Sequence, residues 1–136
     1  MMTIQTPTNR LDAYWELCND IDASASAELD GGRGWTPVGT YVTEDDIYNF
    51  VGSFNGNGFT ISGLTIDRYD QPDDMAYVGF FGSVLLLQDH SITNLTLKDV
   101  SIRGTQSVGG FAGLIRVYDA GTITHCHTTG FGYGGM

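Results

Sequence analysis

The triplet His125-Cys126-His127 is the most chemical-looking stretch of the chain, because imidazole and thiolate are the ligands that hold zinc. On an extended strand successive side chains point to opposite faces, so Cys126 points away from His127 and the three cannot converge on one ion. Cys126 is expected inward, as a buried structural thiol, and His127 outward. His90 sits in a separate loop, and spacing alone supports no Ser-His-Asp or Cys-His pairing. Carboxylates come next. Asp20 and Asp22 are two apart on one strand, and Asp67 has Lys98 as a repeat neighbour. Glycan cleavage needs two carboxyls facing one cleft, yet the exposed repeat positions are mostly threonine and no carboxylate stacks over another. Calcium is the third chemistry. Asp20, Asp22 and Asp30, or Asp70, Asp73 and Asp74, offer hard oxygen ligands without the spacing of an EF-hand, so solvated acidic turns are expected. Thr60, Thr65, Thr93, Thr96, Thr122 and Thr124 form outward threonines of the kind that bind ordered water when the ranks are long. Here only Thr93 and Thr124 stack, beside Ser62, and β propensity with solubility explains them. No catalytic, metal or cofactor-binding residue is assigned, and no cofactor is expected.

Composition narrows the setting. The chain has 136 residues, with 16 Asp plus Glu against 6 Lys plus Arg, a formal charge of −10. That length is one domain, and that charge repels phosphate backbones and anionic lipid. Nucleic acid is therefore not an expected partner. Hydrophobic residues at 41% and aromatics at 12% are too many for a disordered chain. Glycine is abundant, at 19, which predicts many sharp corners and little helix. No apolar run is long enough to cross a membrane, so membrane insertion is not expected, and no export signal is visible. Cys18 and Cys126 do not make a disulfide framework.

Whatever positions these residues must be built from a repeat. Three segments read alike: Phe50-Val51-Gly52-Ser53-Phe54 to Ile61-Ser62-Gly63-Leu64-Thr65-Ile66, Tyr77-Val78-Gly79-Phe80-Phe81 to Ile92-Thr93-Asn94-Leu95-Thr96-Leu97, and Val108-Gly109-Gly110-Phe111 to Ile123-Thr124-His125-Cys126-His127-Thr128. Ile61, Ile92 and Ile123 are 31 apart, as are Leu64, Leu95 and Cys126. Short β-branched strands cut by glycine at this period predict a solenoid of parallel strands. An antiparallel sandwich is the rival, since Asn55-Gly56-Asn57-Gly58 is also a hairpin signal. The reading is an all-β, right-handed parallel β-helix of about four coils with an irregular N-terminal cap. Phe54, Phe81 and Phe111 are expected to stack in one inward column, with Ile61, Ile92, Ile123 and Leu64, Leu95, Cys126 in two others. Gly52, Gly79 and Gly109 are expected at corners that need positive φ or close backbone approach. Thr65 and Thr96 should face solvent. A third strand per coil is expected at Val100-Ser101-Ile102, with Tyr69 and Phe131 in the place of Val100.

The chain divides into a single β-helical domain over 1–136: cap and lead-in at 1–34, coils at 35–130, and a tail or the start of a further coil at 131–136. Within the lead-in, Thr3-Ile4-Gln5 reads as a strand, Pro7 to Tyr14 as a helical turn, Tyr14 to Asp22 as a strand and Ala23 to Gly34 as an outward loop. An uncovered last coil exposes unpaired edges, and self-association through it is expected.

Trp35-Thr36-Pro37-Val38-Gly39, Phe54-Asn55-Gly56-Asn57-Gly58-Phe59-Thr60-Ile61-Ser62-Gly63-Leu64, Tyr77-Val78-Gly79-Phe80-Phe81-Gly82 and Val108-Gly109-Gly110-Phe111-Ala112-Gly113 resemble the GLUG-motif repeats. These occur in bacterial and some phage or archaeal surface proteins, including adhesin-like chains and the non-catalytic parts of IgA-directed metallopeptidases. Cys18-Asn19-Asp20-Ile21-Asp22 ahead of Trp35 is similar to the lead-in of such repeats. The resemblance implies a right-handed parallel β-helix at the cell surface or outside the cell, and no reaction. The expected function is a non-catalytic structural or surface-recognition module of an adhesin-like protein, not an enzyme, whose partners are protein or glycan at a cell surface. The alternatives are a polysaccharide-cleaving β-helix enzyme with surface carboxylates and a carbohydrate-binding module, in which Tyr77, Tyr118 or Tyr133 supply platforms. Because the acidic turns are read as solvated, the melting temperature is expected to be the same in chelator and in millimolar calcium. A clear rise with calcium in a thermal melt would assign them a metal.

Overall fold

Ile92, Leu95, Leu97, Val100 and Ile102 are all buried, and their spacing explains the shape of a coil. Pure alternation would put every second residue inward. Here one extra residue is added at Asn94 and again at Asp99, both with φ 55, a left-handed conformation that Asn and Asp tolerate. Each such residue turns the chain while returning the next apolar side chain to the inside. Gly63, with φ 75, and His125, with φ 55, turn other coils in the same way.

The computed structural model describes residues 12–41, 47–69, 77–87, 89–105, 107–118 and 120–134. The strands are β1 (Tyr14–Glu16), β2 (Ile21–Asp22), β3 (Thr40–Tyr41), β4 (Ile47–Tyr48), β5 (Ser53–Asn55), β6 (Thr60–Ser62), β7 (Thr65–Asp67), β8 (Tyr77–Val78), β9 (Phe81–Leu86), β10 (Ser91–Thr93), β11 (Thr96–Gly104), β12 (Ser107–Val108), β13 (Ala112–Val117), β14 (Thr122–Thr124) and β15 (His127–Gly134). One sheet runs β1-β5-β10-β14 and another β15-β11-β6-β2, with β7 also on β11; β12 pairs β8, and β13 pairs β9. All of these pairs are parallel, whereas β3 and β4 are antiparallel. The domain is thus all-β, with stacked parallel sheets in a solenoid-like arrangement.

The stacking register differs from the expected columns in the earlier coils. Ile92 lies over Ile123, but its neighbour on the other side is Phe54, which in turn pairs Trp15. Ile61 instead pairs Leu97 and Ile21. Leu64 precedes the Thr65–Ser101 pair and so stacks on Val100, while Leu95 and Cys126 precede the Thr96–His127 pair and stack together. Both corners of a coil share one pattern, apolar-x-turn residue-apolar-x-apolar, so the expected alignment slipped from one corner to the next. Asn57-Gly58, an extra pair at the first corner, concealed the slip. Phe81 pairs Ala112 and bridges Val38, so Phe54, Phe81 and Phe111 are not one in-register column. Their rings nonetheless meet across the interior, Phe54 to Phe81 at 5.7 Å and Phe81 to Phe111 at 5.3 Å. Val100-Ser101-Ile102 stacks on Leu64-Thr65-Ile66 rather than on Tyr69, and Phe131 lies beside Ser101 rather than Val100. Thr65 and Thr96 are half-buried.

Gly52, Gly79 and Gly109 are absent from the positive-φ positions; close approach is what each requires. A Cβ would meet the Ala13 carbonyl oxygen at Gly52, that of Gly109 at 2.5 Å from Gly79, and that of Ala112 at Gly109.

The expected strand at Thr3-Ile4-Gln5 and most of the helical turn at Pro7 to Tyr14 lie outside the described residues. Tyr14 to Asp22 forms two short strands, not one. The expected outward loop contains a 3-10 segment, Ser24–Gly32, broken where Leu29, Asp30 and Gly31 leave helical angles. Ser26 in that segment is buried and its hydroxyl accepts from the Thr65 N–H at 2.9 Å, tying the segment to β7. Residues 131–134 continue β15 alongside Ser101 to Gly104. The centre of the core is aromatic: Trp35 stacks on Phe80 at 5.7 Å, and Phe80 meets Phe81 edge-on at 4.9 Å. Each of these buried rings contributes on the order of 2–3 kcal/mol from its apolar area. Gly79→Val forces its side chain into the next coil's backbone, at a cost of about 2–3 kcal/mol. A thermal melt should then show a drop of roughly 10 °C; an unchanged midpoint contradicts the close approach.

Candidate functional site

The residues picked out by type are mostly occupied in holding the backbone. His125 is exposed at a left-handed corner and His127 is exposed on β15. Cys126 is half-buried against the core, its thiol donating to the Ile92 carbonyl at 3.7 Å and the Thr124 carbonyl at 3.4 Å. Burial pushes that thiol's pKa up, against a smaller lowering from the Leu95 backbone. Asp20 accepts the Thr60 N–H at 2.9 Å. Asp22 accepts the Ser24 N–H at 3.0 Å, and this bond, with that from the Ser24 side chain, holds its carboxyl below the usual range. Asp22 therefore anchors the start of the 3-10 segment. Asp30 pairs with Arg68 at 3.1 Å and Arg33 at 3.7 Å. Asp70, Asp73 and Asp74 lie outside the described residues. Among the described residues no three His, Cys, Asp or Glu side chains are grouped to hold a metal ion. Thr93 and Thr124 do pair, but the next rung is Asn55; Ser62 lies beside Lys98 on another sheet.

Asp67 has Arg103, not Lys98, as its partner across the sheet. The guanidinium clasps the carboxylate by Nε to Oδ1 at 3.2 Å and Nη2 to both oxygens at 3.1 Å. Arg103 also lies over the Tyr69 ring, 5.5 Å from its centroid, and Tyr69 meets the Tyr133 ring at 5.3 Å. A hydrogen bond with Tyr69, reinforced by its charge when ionised, raises the Tyr133 phenol, against a smaller lowering by Arg103. Beside this group is an open hollow of about 190 Å³ lined by Gly31, Gly32, Arg33, Asp67 and Arg103. Arg68, only 3% exposed, ties the same 3-10 segment down through Asp30 and the Thr36 hydroxyl at 3.3 Å. Three of the chain's six cations, Arg33, Arg68 and Arg103, are thus gathered in one region. The surface offers a planar donor, a planar acceptor and aromatic rings, a set that recognises a polar ligand with an apolar face.

Of the expected platforms, only Tyr133 belongs to this group. Asp67, Arg103 and Tyr133 are consecutive rungs of one outward ladder. The alternation around Val100-Ser101-Ile102-Arg103 carries that signal, but it is readable only in the observed register.

No family model matches the chain, and no solved structure matches it. It is 34% identical over 116 residues to Halomucin of Haloquadratum walsbyi, a match that covers 85% of this chain and 1% of that protein. It is 32% identical over 99 residues to a protein named Putative Gly-rich membrane protein in Evansella cellulosilytica, covering 71% of this chain and 10% of that one. The chain therefore spans a small fraction of the relatives it matches. Among the described residues no helix is long and apolar enough to cross a membrane.

A thiol with a raised pKa has less thiolate at a given pH. Cys18, which is exposed, should therefore alkylate faster than Cys126 at pH 8 in the folded chain, by mass spectrometry of the two peptides. Its raised pKa also means that Cys126 contributes stability below its unfolded pKa of 9.0 and loses that contribution as pH rises through the folded value. Equal alkylation rates contradict the inward placement.

Proposed function

We propose that the chain is a non-catalytic structural and surface-recognition module, a right-handed β-helical unit of, or derived from, a large extracellular adhesin-like protein of the GLUG-repeat kind. Its recognition surface is the Asp67–Arg103–Tyr69–Tyr133 group, and that group is the observation that carries the reading. A pyranose presents C–H faces that pack on aromatic rings and vicinal hydroxyls that both donate and accept. Arg103 beside Asp67, next to Tyr69 and Tyr133, supplies the matching set. A neutral glycan fits better than a polyanion, since Asp67 already offsets Arg103 and the whole chain carries −10. Two matches in which this unit is a small part of a much longer protein support a modular role. The carboxylates singled out for cleavage are engaged, Asp20 and Asp22 on backbone N–H groups and Asp67 on Arg103, which supports a non-catalytic role.

Cellohexaose, xylohexaose and mannohexaose incubated with the full chain are the probes. At least one is expected to shift the Tyr69 and Tyr133 ring resonances, with Tyr133→Ala weakening that binding tenfold or more, and all three to be recovered at full length. New reducing ends would make the chain an enzyme. Binding that Tyr133→Ala leaves intact would move the site elsewhere, and no binding of any probe would remove the glycan reading.

A further inference from the structure

Strand β15 carries its bulky side chains on the face that packing does not use. On β11, Val100 and Ile102 are buried, while Ser101 and Arg103 are exposed. The register sets Gly130 beside Val100, Phe131 beside Ser101, Gly132 beside Ile102 and Tyr133 beside Arg103. Alternate residues of a strand share a face, so glycine occupies the inward positions of β15 and the two rings occupy the outward ones. Phe131 is 55% exposed and Tyr133 46%. An outward ring returns little of the free energy that burial supplies, and folding therefore accounts for neither. Successive coils pair through strand edges, so both rings stay outward whatever lies beyond β15.

Phe131 also belongs to the same surface as the Arg103 group. Thr65, between the buried Leu64 and Ile66, pairs Ser101, and Asp67 pairs Arg103. Two outward rungs thus lie side by side, Thr65–Ser101–Phe131 and Asp67–Arg103–Tyr133. Each has hydrogen-bonding groups on β7 and β11 and a ring on β15. The only charges on the two rungs are Asp67 and Arg103, paired at 3.1 Å, so the surface is matched to a neutral ligand. Two residues of strand separate the rungs by about 6.6 Å. A single sugar cannot cover both rings at that separation, whereas two linked sugars can.

We propose that Phe131 is a second platform of this surface, and that the ligand is a linear neutral oligosaccharide laid along β15, with neighbouring sugars over Tyr133 and Phe131. The inference rests on the glycan reading above and adds to it the smallest size of the ligand and its direction. The sugar over Tyr133 meets the Arg103–Asp67 pair. The sugar over Phe131 meets the Ser101 and Thr65 hydroxyls.

Nuclear magnetic resonance titrations of the full chain test this, with each hexaose that binds among cellohexaose, xylohexaose and mannohexaose, and with its disaccharide and monosaccharide. The hexaose is expected to shift the Phe131 ring resonances together with those of Tyr133. The disaccharide is expected to bind roughly tenfold more tightly than the monosaccharide, and Phe131→Ala to remove that difference. Phe131→Tyr, which keeps a ring, should restore it. Because Phe131 is exposed, Phe131→Ala should melt at the temperature of the parent chain; the ring shifts and the length dependence of the unaltered chain remain decisive if it does not. Equal affinity for monosaccharide and disaccharide, Phe131 resonances that stay still, or hexaose binding indifferent to Phe131→Ala would each overturn the second platform, while loss on Tyr133→Ala would keep the first. Binding of no hexaose would remove both readings.

Discussion

Each coil of this protein is buried only by its neighbours. In a layered sandwich a strand's apolar face is covered by an opposing sheet from elsewhere in the chain. Here the strands of successive coils lie about 4.8 Å apart, and their inward side chains cover one another along the stack. Ile92 is sealed because Phe54 lies on one side and Ile123 on the other. Stability in such an array is a sum of neighbour contacts, so it falls off toward an end that lacks a neighbour. The aromatic cluster of Trp35, Phe50, Phe54, Phe80 and Phe81 lies away from the last coil, and its members are almost wholly buried.

That dependence decides how much the sequence reveals. A stack of parallel strands is legible because similar residues recur along the chain, and the last two coils keep the interval of 31 in the pairing of Ile92 with Ile123 and Thr96 with His127. The earlier register is not legible, for a specific physical reason. A left-handed residue at each corner lets the inward pattern repeat within a coil as well as between coils. Ile61-Ser62-Gly63-Leu64 therefore looks as much like Ile92-Thr93-Asn94-Leu95 as like its true partner Leu97-Lys98-Asp99-Val100. The ladder separates them, with the Gly63 N–H donating to the Lys98 carbonyl and the Ser101 N–H to the Leu64 carbonyl. The backbone role of Gly79 could be read because a glycine next to a buried valine implies crowding, though no positive φ is involved.

The recognition surface was hidden by the same ambiguity. Asp67, Arg103 and Tyr133 are unremarkable singly, and no short motif joins them. They become one group only when β7, β11 and β15 are set side by side. The conspicuous candidates carry less. His125-Cys126-His127 straddles a corner, so its three side chains diverge, and Asp20 and Asp22 are held by backbone N–H groups. Residue type pointed to chemistry where local geometry required a turn, a cap or a filler.

The last coil carries one edge of the recognition surface on an exposed strand. Its inward positions taper: Thr128 stands beside Leu97, Gly130 beside Val100 and Gly132 beside Ile102. Less apolar area is buried along β15 than along β11, so β15 is held chiefly by its backbone ladder and opens at lower free energy than the coils beneath it. Yet β15 carries Tyr133, the outer rung of the Asp67–Arg103 ladder, while Tyr69 and Arg103 belong to better buried parts of the stack. A ligand that bridges Tyr133 and Arg103 therefore also orders β15, and part of its binding free energy is offset by that ordering.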